Sequence, residues 1–412
     1  MRISTNQFYQ AGTNALGKQQ TELLHIYQQI SSGRRMVTPA DDPLGAAQAI
    51  NLSQSKSLNA RLAENRTVAR QNLGMEENTL NSATGLMVEI KTRLNEAANG
   101  TLSDADRQTL SSVIQNLKEN MLALANATDG NGQYLFSGYQ GTRAPFNVTA
   151  AGNVEWQGDE GKRLVQIDQT RQVSTSDDGK SIFMTAAPGD RTYITSGSGA
   201  NAGTGVISDP VVTDPSGANV GMDFVIEFSG DPAEHTVTVV DKSGAVVDGP
   251  FGPTPFDPEA KKLTLPGGME VILSGQPVDG DRFEVKTAQG EDLNIFDTLD
   301  RLAAALSEPI SGNPSAASNL RNVITESGMR LDANYNAMLT VRSSLGARLS
   351  EIDMLDAGGQ QRDIGFTSEL SRLQDLDLYT STMLLEQRRS GLEAASLAFK
   401  KIQNLSMFLI NR

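Results

Sequence analysis

Apolar residues recur at every seventh position towards both ends of this 412-residue chain and lose that spacing in its middle third. A seven-residue repeat places side chains on one face of a helix, so it commits the two ends to long helices that need a partner along their length. At the N-terminal end Leu16, Leu23 and Ile30 form such a stripe with Tyr27 beside it, and Gly33 supplies a stop. A second helix is predicted from about Leu44 to about Ala98, carrying the series Leu73, Leu80, Met87, Leu94 and the neighbouring series Leu62, Ala69, Ala83, Ile90. Between these two helices, Thr38-Pro39-Ala40-Asp41-Asp42-Pro43 reads as a linker and a helix start, with Asp42 as N-cap and Pro43 in the first helical position.

A third helix, with Leu110, Leu117 and Leu124 at sevens, is predicted to start at Ser103-Asp104 and to end near Asp129-Gly130. Helical patterning resumes at Leu293. The next long helix carries Leu331, Met338, Leu345 and Ile352 and is expected to break at Gly358-Gly359. In the last helix Leu378, Leu385, Leu392 and Phe399 recur at sevens, with Ala395, Ile402 and Leu409 in the adjoining row. That stripe runs almost to the end of the chain, where nothing in the sequence remains to cover it except the other end or a neighbouring molecule.

Between Gly141 and Gly290 the texture changes to short alternating runs broken by Gly, Pro and Asp, the signature of strands and turns. Candidate strands are Arg163 to Gln169, Phe224 to Phe228, Thr236 to Val240, Leu263 to Leu265, Val271 to Leu273 and Arg282 to Lys286. The fold class is therefore α+β: a coiled-coil-like bundle of long helices formed by the N- and C-terminal regions, with an inserted mainly-β domain. Residues 1–43 and 375–412 are expected as terminal helices that order on assembly, 44–140 and 291–374 as the bundle, and 141–290 as the insertion.

Composition narrows the function. The net charge of −14 disfavours nucleic acid and anionic membrane as partners, and the insertion carries 11 basic against 21 acidic residues. There is no cysteine, so neither disulfides nor thiolate metal sites are available. Residues 1–10 lack a basic region leading into an apolar run, so export would take a non-standard route, and no stretch approaches the roughly 18 apolar residues of a membrane span. Aromatics make up 5%, with Trp156 as the single tryptophan, which favours helices packed through Leu, Ile, Met and Ala over a bulky aromatic pocket.

Catalytic readings fare poorly. His25 and His235 are the only histidines and lack a surrounding constellation. The adjacent pairs Asp41/Asp42 and Asp177/Asp178 are of a kind common in an acidic chain, and Gly197 to Gly203 has the wrong spacing for a phosphate loop. No catalytic residue, metal site or cofactor is expected. Arg34 and Arg35 read as solvated or as partners of a neighbouring subunit's carboxylates.

Met1-Arg2-Ile3-Ser4-Thr5, and Ile30-Ser31-Ser32-Gly33-Arg34-Arg35 running into Pro39-Ala40-Asp41-Asp42-Pro43, resemble the N-terminal signature of the flagellin family. The segment Gly132-Gln133-Tyr134-Leu135-Phe136-Ser137-Gly138-Tyr139 with Pro145-Phe146, and the ending from Leu378-Tyr379-Thr380 to Ser406-Met407-Phe408-Leu409, look like the branch of that family that joins hook to filament. The resemblance covers about residues 1–146 and 290–412 and matches nothing in the middle.

What it implies is a secreted structural subunit of the bacterial flagellum, exported by the type III apparatus. It would self-assemble into a ring or tube, meeting the first hook-associated protein on the hook side and flagellin on the filament side. An export chaperone would cover the C-terminal helix. The intersubunit contacts would then fall on Leu16, Leu23, Tyr27, Ile30, Leu378, Leu385, Leu392, Ala395, Phe399, Ile402 and Leu409. Filament flagellin itself, and an exported adhesin or hydrolase with helical ends, stand as alternatives.

Overall fold

The protein is described by a computed structural model covering the backbone of residues 5–289 and 291–410, with side chains up to Lys401 except those of residues 5, 6 and 8. In chain order, α1 (Thr5–Ser32), α2 (Pro43–Ala97) and α3 (Asp104–Ala125) precede the strands β1 (Phe146–Val148), β2 (Val154–Trp156), β3 (Leu164–Gln166) and β4 (Gln172–Ser174). A short helix α4 (Gly179–Phe183) leads to β5 (Tyr193–Gly197), β6 (Val206–Ile207), β7 (Val211–Val212), β8 (Asp223–Ser229) and β9 (Glu234–Val240). Then come β10 (Val246–Pro255), β11 (Lys262–Leu265), β12 (Met269–Ser274), β13 (Arg282–Thr287), α5 (Ile295–Ser307), α6 (Pro314–Gln374) and α7 (Leu378–Ile410). Contacts divide the chain into two compact units, residues 1–64 with 354–412 and residues 65–353.

Local chemistry explains the helix boundaries. Gly33 adopts φ +66°, the left-handed conformation that closes α1 after Ser32. Asp42 accepts the Gly45 backbone N–H at 2.9 Å and so caps α2, with Pro43 in the first helical position. Ser103 and Asp106 form a reciprocal capping box at the start of α3. Asp377 accepts the Tyr379 and Thr380 backbone N–H groups and caps α7.

Two helix ends depart from expectation. The third helix stops at Ala125, ahead of the glycines. The expected break at Gly358-Gly359 does not occur, and α6 runs unbroken to Gln374. A helical glycine costs about 1 kcal/mol; here Asn59 of α2 donates to the Gly359 carbonyl at 2.9 Å, and helix continues on both sides.

In the second unit α2 and α6 run antiparallel: Arg342 pairs with Glu77 at 2.8 Å, Arg70 with Asp353 at 3.0 Å, and Lys91 with Asp332. The heptad residues Leu73, Leu80, Met87 and Ile90 from α2, with Leu331, Met338, Leu345 and Ile352 from α6, are buried, as their spacing demands. Helix α3 packs on α5, with Ser111 donating to the Ala303 carbonyl at 2.7 Å and Lys118 paired to Asp300 at 2.7 Å.

The strands build an antiparallel five-stranded sheet in the order β10-β9-β8-β13-β5 and a smaller sheet β11-β12-β6, with β7 also on β12. Alternation puts Phe224, Ile226 and Phe228 of β8 and Phe283 and Val285 of β13 inward, where they meet Leu263, Leu265, Val271 and Leu273 of the smaller sheet in one core. Five of the six candidate strands fall within observed strands. The sixth, Arg163 to Gln169, is instead β3 followed by the turn into β4. The edge strand β10 is exposed throughout, and its Pro250, Pro253 and Pro255 lack the N–H that a further strand would need. The few aromatics gather in the interior: Phe136, Phe146, Trp156, Phe183 and Phe296 form one cluster whose neighbouring rings have centroids 5.1 to 6.4 Å apart.

Candidate assembly interface

The first unit is short of core. Among its described residues the fully buried apolar side chains are Ile26, Ala49, Leu62 and Leu373. Leu24, Leu44, Ile364, Leu378, Tyr379 and Leu397 stand exposed on the same unit, each with more than half its surface in water. A stable soluble surface scatters such residues; this unit concentrates them.

Within this unit α1 and α7 pack against each other. The rings of Tyr9 and Phe399 lie 5.3 Å apart, and Glu22 pairs with Arg388 at 2.8 Å. Leu16, Leu23, Ile30, Leu385, Leu392, Ala395 and Phe399 are half-buried, whereas Tyr27 and Leu378 are exposed. The side chains of Ile402 and Leu409 lie outside the described residues. A half-buried stripe still has surface to give to a further partner.

The linker between α1 and α2 closes onto the end of α6. An isolated antiparallel backbone β-bridge joins Arg34 to Asp375: the Arg35 backbone N–H donates to the Gln374 carbonyl at 2.7 Å, and the Leu376 N–H donates to the Gly33 carbonyl at 3.0 Å. Arg35, expected to be solvated or paired with a neighbour, instead reaches Asp42 at 3.3 Å and the Leu373 carbonyl at 3.0 Å of its own chain. Asp41 accepts the Val37 and Thr38 backbone N–H groups at 2.9 and 2.8 Å. The Thr38 N–H first, with further help from Val37 and His25, holds the Asp41 carboxyl below the usual range. Both aspartates are thus structural. Beside them a groove of about 350 Å³ is lined by Val37, Pro39, Ala46, Ala49 and Ile50.

In the second unit the carboxylates and the histidine singled out from the sequence have structural partners. Asp178 caps α4 and Asp177 faces Arg348. His235 packs against Phe228 with its centroid 5.9 Å away, and burial lowers its pKa. Among the described residues no group of three or more His, Asp or Glu side chains is placed to hold a metal ion. Packing of the two ends on each other was one of the two covers the sequence allowed for the terminal stripes, whereas the linker's closure on α6 was missed, since it joins residues more than 300 positions apart and leaves no local signal.

Residues 3–141 match the family described as the bacterial flagellin N-terminal helical region, and the fold around them is that of long helical ends enclosing a mainly-β middle. The flagellar hook-associated protein 3 of Salmonella typhimurium LT2 is 27% identical over 412 residues, covering 100% of both chains. The crystal structure of Xanthomonas campestris FlgL superposes with a TM-score of 0.61 at 30% identity, covering 72% of this chain and 93% of that one. The flagellar hook-associated protein-3 of Legionella pneumophila gives a TM-score of 0.68 at 26% identity, covering 78% and 98%. The chain belongs to the flagellar hook-associated protein 3 family.

Proposed function

We propose that this protein is a non-enzymatic structural subunit of the bacterial flagellum, joining hook to filament. The observation that carries the reading is the imbalance in the first unit, where 13 large apolar side chains are exposed and four apolar side chains are buried among the described residues. Such a surface calls for subunit neighbours. In this reading the stripe of Leu16, Leu23, Tyr27 and Ile30 on α1, and of Leu378, Leu385, Leu392, Ala395 and Phe399 on α7, contacts adjacent copies in a ring or tube. Ile402 and Leu409 extend the same row. One end meets the first hook-associated protein and the other meets flagellin, after type III export with a chaperone on the C-terminal helix. Relatives that match end to end and bear the hook-associated name support the junction over the filament as the place of this chain.

The test is deletion of the gene in its source bacterium, with filament length measured by microscopy and flagellin in the medium measured by blot. Bald hooks with flagellin lost to the medium are expected. Filaments of normal length would overturn the reading, and bald cells without flagellin anywhere would identify the filament subunit instead.

A further inference from the structure

The small hairpin β3–β4 lies across both long helices. On the α2 side Asn65 donates to the Gln166 carbonyl and Arg66 to the Ile167 carbonyl, each at 2.9 Å. On the α6 side Arg171 holds Glu351 through two hydrogen bonds at 2.5 and 3.0 Å, and Arg348 reaches the Ser174 carbonyl at 3.3 Å. Its two strands have three residues each, too little to persist unaided. The hairpin therefore exists as a strap, held by the helices it ties.

Where the strap ends, two carboxyl groups are sealed together. Glu76 of α2 is 1% exposed and Asp177 is 3% exposed. The Asp177 backbone N–H donates to Glu76 Oε1 at 3.1 Å, while Glu76 Oε2 is buried without a hydrogen-bond partner. Arg348 from α6 donates to both Asp177 oxygens at 3.0 and 2.8 Å, and Lys162 stands 3.6 Å from one of them. The other charged groups nearby have their own partners: Arg342 holds Glu77, Arg163 holds the Gln133 side chain and the Tyr134 carbonyl, and Asp178 caps α4. The Arg348 guanidinium and the Lys162 ammonium thus both serve Asp177, and Glu76 is left without an ion pair in the same enclosed space.

We propose that Glu76 is a proton-held latch, which keeps the strap 162–177 closed on α2 and α6 while it is neutral and drives the strap open when it ionises. Burial first, and then the charge of Asp177, push the Glu76 carboxyl up to about 8 against the pull of Arg348, the Asp177 N–H and Arg163. Opening returns it to an ordinary carboxyl near 4.5. A group raised in the closed state stabilises that state fully below its open-state value, and loses the effect as pH climbs through its closed-state value. The strap is accordingly tightest in mild acid, loosens steadily up to about pH 8, and changes little above it.

Hydrogen exchange on the full-length protein tests this. Protection of the amides of residues 164–174, corrected for intrinsic exchange, is expected to fall by about tenfold per pH unit between about pH 5 and pH 8, then level off. In Glu76→Gln the dependence should vanish. A flat wild-type profile, or the same slope in Glu76→Gln, would overturn the latch. If that variant does not fold, the ¹³C shift of the Glu76 carboxyl in the unaltered protein decides: a midpoint near 8 supports the latch and one near 4.5 sinks it.

Discussion

The ring of Tyr9 in the first helix sits 5.3 Å from that of Phe399 in the last, tilted by 46°. The two ends of the chain are thereby brought to one place, and Gly12 makes the approach possible. A Cβ there would stand 2.6 Å from Phe399 Cε2, closer than side chains tolerate. Gly12→Leu should part α1 from α7 and abolish polymerisation followed by light scattering, while the thermal transition of residues 65–353 keeps its midpoint. Normal polymerisation of the variant would show that this pairing is not needed for assembly.

Limited proteolysis of the monomer should remove residues 1–43 and 375–412 first and leave a resistant fragment containing 65–353. Few buried apolar contacts mean low local stability, and the first unit has four fully buried apolar side chains among its described residues. Mass spectrometry of the fragments reads the order directly. Early cleavage inside the β sandwich would contradict it.

Asp42 and Asp41 should separate by what they hold. Asp42→Ala removes the N-cap of α2 and its bond to Arg35, for a loss of about 1 kcal/mol in denaturant unfolding. Asp41→Ala frees the Val37 and Thr38 N–H groups of the linker, and should raise amide exchange there while leaving the α2 start protected.

Gly138 has φ +70°, and a Cβ on it would stand 2.2 Å from the Asp159 carbonyl oxygen. Gly138→Ala should cost on the order of 1–3 kcal/mol, read as a lower denaturation midpoint. The Asp159 carboxylate accepts N–H bonds from Tyr139, Gly161 and Gln140, with Tyr139 the strongest influence, and these hold its pKa below the ordinary value. A depressed carboxyl stabilises above its unfolded value, near 3.8, and loses that effect as pH falls through the folded one. The 137–141 loop should therefore loosen only below about pH 4, and Asp159→Asn should loosen it at neutral pH, as loop exchange would report.

Arg348→Ala strands Asp177 in the interior beside Glu76. Breaking a buried pair from one side costs roughly 3–5 kcal/mol, so the melting temperature of the second unit should drop by more than for Lys162→Ala, whose amine is half-exposed at 3.6 Å. Equal effects from the two substitutions would place the ionic support of Asp177 elsewhere.

Periodicity alone carried most of the helical architecture. Leu73, Leu80, Met87 and Leu94 at sevens, Asp42-Pro43 at a helix start and Gly33 at a helix end are local signals, because helix geometry and capping are decided within four residues of the position concerned. Strands such as Asp223–Ser229 were legible from alternation, while β5 and the irregular β10, rich in Gly and Pro, were not. Gly358-Gly359 misled, since a bond from Asn59, 300 residues away, outweighs a local propensity.

The sequence by itself determined which faces of the helices are apolar, where α1, α2 and α7 begin or end, and that the middle is built of strands. Only the tertiary structure decided that Tyr9 meets Phe399, that Arg35 turns back to Leu373, and that Glu76 shares its enclosure with Asp177. A stripe specifies that burial is favourable, and burial is non-directional. Which partner provides it depends on contacts between distant segments, whose geometry no local pattern records.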